Sequence, residues 1–290
     1  AVCLLLMTGR ENRDLYKQRD TIHKGELVAR LDTTKVKLSD VQKEELGAMT
    51  SLKEKSDTAA LKKEMKRNLE KSTGSYGVLY NYLSNITAMI EFNYTYYGIW
   101  DILLFMLLGM AFFKSGVLTG HASAKLYLAM FIGGMGLGLF LTWLRLGELM
   151  QHKFNLFEIT KHKRIEYYEI SRTLRSIGLF GAIMLLFKSG WFNWLFRLLR
   201  PVGQMAFTNY LMQSLMGGLF FFGIGFGMMG KLQRYEVYLV AVAIWIIEIT
   251  WSHIWLRYFR FGPLEWCWRS LTYWKKQPMR KENTKEVLSV

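Results

Sequence analysis

Apolar and polar residues divide the chain into two regimes that change over near Tyr97. From Gly9 to Lys71 charged residues dominate, and a thin apolar stripe runs through Leu38, Val41 and Leu46, then Leu52, Leu61, Met65 and Leu69. Ser39, followed three residues later by Gln42, fits a capping box. This pattern predicts a solvent-exposed helical hairpin over Ser39–Lys71 with a weak apolar seam. The short apolar stretch before it, Ala1 to Met7, reads as the end of a truncated membrane helix. Tyr76, Tyr80, Tyr82, Phe92, Tyr94, Tyr96, Tyr97 and Trp100 then gather just ahead of the next apolar run, where an interfacial aromatic belt belongs.

Beyond Tyr97 the pattern is one of long apolar runs. Tyr97–Phe113, Leu126–Leu144, Leu174–Phe187 and Val237–Leu256 each predict a membrane helix, the third extended by snorkelling of Arg175 and Lys188. A fifth lies between Arg200 and Lys231, where Pro201 to Gly230 carries no charge. That run is long enough for a hydrocarbon core of about 30 Å, which needs roughly 20 helical residues. Gly133, Gly134, Gly136 and Gly138 would let the second span pack closely on a neighbour. The expected fold class is all-α: a polytopic transmembrane helix bundle of about five full spans, an N-terminal stub and an extramembrane helical hairpin. The expected divisions are 1–8, a truncated membrane helix; 9–96, a polar extramembrane region; 97–273, a transmembrane domain; and 274–290, a basic tail.

Composition adds a strongly basic balance, +15 over 290 residues. The cations sit between and beyond the apolar runs, so they read as topology determinants and headgroup contacts. The implied partner is therefore the lipid bilayer, not nucleic acid. Arg257, Arg260, Arg269, Lys275, Lys276, Arg280 and Lys281 place the C-terminus in the cytoplasm, and counting back puts the polar region outside. The loop Gly147–Ser171, with Lys153, Lys161, Lys163 and Arg164, runs against that count. Cys3 and Cys267 form no metal or redox motif. No Gly-rich phosphate loop, zinc motif or Gly-x-Ser-x-Gly elbow is present, and no cofactor or metal is expected.

Within the apolar runs a few polar residues stand out. Asn209, Tyr210, Gln213 and Ser214 fall within about 140° of one another on a helix. They suit either a cavity lining or interhelical hydrogen bonding. Glu248 lies in the last span with Ser252 one turn on. Intramembrane carboxyls are costly and lean towards function, and bonding to a neighbouring helix is the competing reading. Asp101, near a helix end among aromatics, reads as structural. After the last span, Gly262-Pro263 breaks the helix, and Pro263 suits the first turn of a new one. There Glu265 is favoured near the N-terminus and can pair with Arg269 at i+4. Trp266 adds aromatic surface, so Gly262, Pro263, Glu265, Trp266 and Arg269 mark an interfacial motif.

Gly203-Gln204-Met205-Ala206-Phe207-Thr208-Asn209-Tyr210-Leu211-Met212-Gln213-Ser214 and Phe261-Gly262-Pro263-Leu264-Glu265-Trp266-Cys267-Trp268-Arg269-Ser270-Leu271-Thr272-Tyr273 together resemble the YeiB-like proteins, which carry the domain of unknown function 418. Trp100-Asp101, Met106 to Ala111 and Gly116-Val117-Leu118-Thr119-Gly120 are similar to an earlier segment of that family. Members often have Arg where this chain has Gln204, and frequently Gln where it has Glu248. The resemblance implies a bacterial inner-membrane protein that handles or transports a small polar substrate. It also leaves open a transmembrane acyltransferase related to heparan-glucosaminide acetyltransferase, or a non-catalytic scaffold. No catalytic residue and no oligomeric state follow from it.

Overall fold

A computed structural model describes residues 1–31 and 37–281, with backbone alone for Asn93, Tyr96 and Tyr97. The aromatic belt's Tyr96 and Tyr97 side chains and the tail from 282 onward lie outside what is described. The described residues form twelve α-helices and no strand, so the all-α helical bundle is the fold. Two units emerge: Ala1–Arg67 with Ile86–Ser189, and Asn68–Asn85 with the chain from Gly190 onward.

In the first unit, α1 (Val2–Ala29) is one continuous helix, about 42 Å long at 1.5 Å per residue. The apolar Ala1–Met7 stretch thus leads straight into the charged region without a break. Ser39 and Gln42 form the expected capping box at the start of α2 (Asp40–Lys55): the Ser39 hydroxyl accepts from the Gln42 N–H at 3.3 Å, and the Gln42 side chain accepts from the Ser39 N–H at 2.9 Å. Helix α2 lies on α1, where Gly25 comes up against Met49, whereas Val41 of the expected seam is exposed. The second helix of the expected hairpin, α3 (Thr58–Ser72), is followed by α4 (Tyr76–Tyr97), and the boundary between units falls within these two helices.

Then come α5 (Ile99–Lys114), α6 (Ala124–Gln151), the short α7 (Leu156–His162) and α8 (Tyr168–Ser189). Helices α6 and α8 run antiparallel in close contact. A Cβ on Gly134 would stand 2.6 Å from the Leu174 carbonyl oxygen and 2.7 Å from the Gly178 nitrogen. One turn on, Gly138 meets Arg175 and Ser171, and its carbonyl accepts from Ser171 Oγ at 2.9 Å and Thr142 Oγ1 at 2.8 Å. Of the four glycines expected to allow close packing, only Gly134 and Gly138 do so. They lie four residues apart on one face, whereas Gly133 and Gly136 face open space.

Between α5 and α6, Gly116 and Gly120 take positive φ of 75° and 84°, which costs glycine nothing and other residues strain. The turn they shape presents the Val117 carbonyl to the Tyr127 hydroxyl at 2.6 Å, and Val117, Tyr127 and Met184 form a buried apolar cluster in this unit. Lys188 reaches the Ala122 carbonyl from the end of α8 and lies over the Tyr127 ring. The expected extension of that apolar run therefore ends in a specific contact.

The second unit holds α9 (Asn193–Gln204), α10 (Ala206–Phe221), α11 (Arg234–Tyr258) and α12 (Pro263–Thr272). Here the structure corrects the sequence reading. The uncharged run from Pro201 to Gly230 is not one span but the end of α9, a break at Met205, α10 and a non-helical return. Pro201 removes one backbone donor from α9. Beyond α10, Gly227 and Gly230 adopt positive φ, and Gly223 sits against the Thr73 and Gly74 carbonyls, its own N–H donating to the Ser72 carbonyl at 3.0 Å. At 16 residues, α10 and α5 are each about 24 Å long, short of a full hydrocarbon crossing. Among the described residues three helices, α6, α8 and α11, are long and apolar enough to cross a membrane, so a count of five spans is not confirmed. Only 11% of the apolar window of α11 is buried by protein, which leaves its greasy surface for lipid.

Overpacking of a tight helix contact costs typically 1–3 kcal/mol. Gly134→Ala and Gly178→Ala are each expected to destabilise the chain by about that amount, and Gly133→Ala by less than about 0.5 kcal/mol. Thermal unfolding in detergent checks the contrast.

Candidate functional site

The break at Met205 leaves the first N–H groups of α10 without intrahelical acceptors, and Met205 offers no side-chain cap. Helix α12 has the matching deficit, because its N-cap is Gly262. Each helix is completed by the other. The Glu265 carboxylate accepts from the Thr208 backbone N–H at 3.0 Å and from the Thr208 hydroxyl at 2.6 Å. Thr208 Oγ1 in turn accepts from the Leu264 N–H at 3.2 Å. This is a capping box divided between two segments 57 residues apart. Gly262 is fitted tightly into it: a Cβ there would lie 3.0 Å from Thr208 Oγ1 and would overlap Glu265.

The neighbouring residue, Asn209, joins three helices. Its Nδ2 donates to the Val202 carbonyl of α9 at 3.2 Å and to Ser252 Oγ of α11 at 2.9 Å. Asn209, Glu248 and Ser252 are 4%, 7% and 0% exposed. Yet Asn209 Oδ1 and Glu248 Oε1 are buried atoms with no hydrogen-bond partner among the described residues, which is costly for a polar group away from water. Ser252 and Glu248 stand one turn apart on α11, so both lie on the face that meets Asn209.

The sequence-derived candidates thus separate. Asn209, Glu248 and Ser252 are buried, and Asn209 and Ser252 are bonded to each other. Tyr210, Gln213 and Ser214 are exposed on α10, with Ser214 Oγ bonded back to the Tyr210 carbonyl. In the interfacial motif, Pro263 occupies the first turn of α12, and Trp266 Nε1 donates to the Gln277 carbonyl at 2.7 Å. Arg269 lies over the Phe261 ring at 4.5 Å, and the Glu265 carboxylate is directed to Thr208. Phe207, Glu265, Trp268 and Arg269 line a cleft of about 300 Å³. The signal for the Thr208 contact was half visible: Gly262 at N-cap with Glu265 at N3 is a capping box lacking its hydroxyl.

The first unit holds an ion network that the sequence reading missed, apart from Asp101. Arg172 of α8 grips Asp101 of α5 through two nitrogens, one at 3.2 Å, and Glu169 at 2.6 and 3.1 Å. Lys163, its side chain 5% exposed, pairs with Glu166 at 2.9 Å and Glu148 at 3.5 Å. Arg145 approaches Glu166 at 3.4 Å and lies over Tyr168. Asn12 of α1 binds Glu166 as a strand would, with Nδ2 to its carbonyl at 2.9 Å and its N–H to Oδ1 at 2.7 Å. Glu11 stands beside this network in a cleft of about 190 Å³ with Met7, Arg10, Asp14, Trp100 and Glu169. The Gly9–Lys71 charge run read as a solvated face, and no local spacing marks which of its residues turn inward.

Losing a cap costs about 0.5–2 kcal/mol. Thr208→Val is expected to destabilise by about 1–2 kcal/mol and to speed amide exchange in the first turns of both α10 and α12. Thr208→Ser should retain most of the stability. Hydrogen exchange read by mass spectrometry distinguishes this shared cap from a simple packing loss, which would not reach both helix starts.

A family model described as a protein of unknown function, DUF418, matches residues 112–275. The chain is 47% identical over 81 residues to the uncharacterized protein YxaH of Bacillus subtilis (strain 168), covering 28% of this chain and 20% of that protein. It is 46% identical over 71 residues to the uncharacterized protein YeiB of Escherichia coli (strain K12), covering 24% and 18%. It is 33% identical over 99 residues to an uncharacterized 39.9 kDa protein in the amylase 3' region of Bacillus acidopullulyticus, covering 34% and 28%. No solved structure matches. The family match takes in more than half of the chain and both halves of the divided capping box, and the chain belongs to the YeiB-like family of proteins of unknown function, DUF418.

Proposed function

We propose that this chain belongs to a multi-pass inner-membrane protein, with its C-terminus in the cytoplasm, that binds and transports a small polar substrate through the α10–α11 region. The observation that carries this reading is the pair of buried, partnerless acceptors, Asn209 Oδ1 and Glu248 Oε1. An apolar helix keeps such groups at a cost, and a substrate bearing N–H or O–H donors would satisfy both. The Asn209–Ser252 bond and the Asn209 link to Val202 preorganise the amide, so little ordering remains when a ligand arrives. In this reading residues 9–96 lie outside, the helices from 97 to 273 form the membrane domain, and the basic residues from 274 onward remain in the cytoplasm.

Hydrogen bonds involving a charged group contribute about 1.5–3 kcal/mol. Glu248→Gln and Asn209→Ala are therefore each expected to weaken binding by roughly 10- to 100-fold. Native mass spectrometry of the full-length protein in detergent, beside the two variants, is the test. A polar metabolite bound by the parent and lost from both variants supports the proposal. A bound acyl donor or acylated product would replace it with acyl transfer. Bulk lipid alone on all three proteins would make the polar residues helix-bonding groups and leave a scaffold.

A further inference from the structure

Glu11 is placed where a carboxylate would find no cation to itself. Arg172 is held by Asp101 and Glu169, Lys163 by Glu166 and Glu148, and Arg145 lies against Glu166 and over Tyr168. On its own helix, Arg10 pairs with Asp14 at 4.0 Å. Glu169 and Arg172 of α8, Glu166 of the segment before it and Arg145 of α6 act on Glu11 directly, and Asp101 of α5, Glu148 of α6 and Lys163 complete the network through Arg172 and Glu166. Helices α2 and α7 meet α1 farther along, near Gly25 and Glu26. Among these groups, excluding the Arg10–Asp14 pair, acids outnumber bases even before Glu11 is counted. Glu11 Oε2 is itself buried with no hydrogen-bond partner among the described residues. A proton on Glu11 would offset that excess of acids.

We propose that Glu11 is a proton-binding site, a carboxylic acid that keeps its proton inside the ion network and releases it as the solution approaches neutrality, loosening α1 from α5 and α8. Burial first, then the Glu169 and Glu166 carboxylates, push the Glu11 carboxyl up to about 7, against the pull of Arg145 and Arg172. Its value in the unfolded chain is about 4.5. The folded form therefore binds more protons between those two values. Stability falls as pH climbs from about 4.5 to about 7 and levels off above, once both forms are ionised.

Infrared titration of the full chain in detergent reads the protonated carboxyl directly. The expected result is an acid carbonyl band lost with a midpoint near pH 7, absent from Glu11→Gln and retained by Asp14→Asn, whose carboxylate lines the same cleft. Amide exchange along α1 should rise faster than its intrinsic pH dependence between about pH 4.5 and 7 and follow the intrinsic dependence above, in the parent and in Asp14→Asn. This second reading needs no substitution at Glu11. A band unaffected by Glu11→Gln, a midpoint below about pH 5, or α1 exchange that follows the intrinsic rate alone would overturn the proposal.

Discussion

An apolar environment offers a broken helix nothing to bond with, and that constraint governs the second unit. A chain that interrupts itself at Met205, where Met205, Thr208 and Asn209 are buried, leaves backbone donors that must find partners within the protein. Thr208 and Glu265 meet that need for two helix starts at once, and Asn209 meets it for the Val202 carbonyl on the other side of the break. Consecutive residues thus repair both edges of the same interruption. The side-chain contact of α10 with α11, including the Asn209–Ser252 bond, rests on that repair.

The first unit solves a different problem. Its helices approach so closely at Gly134, Gly138, Gly178 and Gly181 that backbone meets backbone. The charged residues at the end of this pair are then drawn together, and α1 closes over them through Asn12. A side-chain amide there does what a neighbouring strand would do, without a strand.

Helix content and the family were legible because they depend on local signals: long apolar runs, the Ser39–Gln42 box, and the Gly262-Pro263 start of α12. The failures were all matters of distance in sequence. A charge-free stretch such as Pro201–Gly230 reads as one span by hydropathy, yet Pro201, Gly223, Gly227 and Gly230 divide it, and each glycine's role depends on what lies against it. Gly133 and Gly134 are indistinguishable as letters, and only the position of α8 separates them. Glu265 was recognisable as a helix-start carboxylate, but nothing within α12 names Thr208 as its partner. Glu11 looked like a solvated charge because the groups that act on it come from α6, from α8 and from the segment just before α8.

The divided capping box also sets an order of events during synthesis. Thr208 emerges from the ribosome 57 residues ahead of Glu265. At about 5–20 residues per second, α10 waits roughly 3 to 11 seconds with its N-terminal donors uncapped by their final partner. Through that interval the segment must remain near water, headgroups or the insertion machinery, since bare lipid would leave those groups unbonded. Final placement of α10 thus waits until α12 arrives to close it.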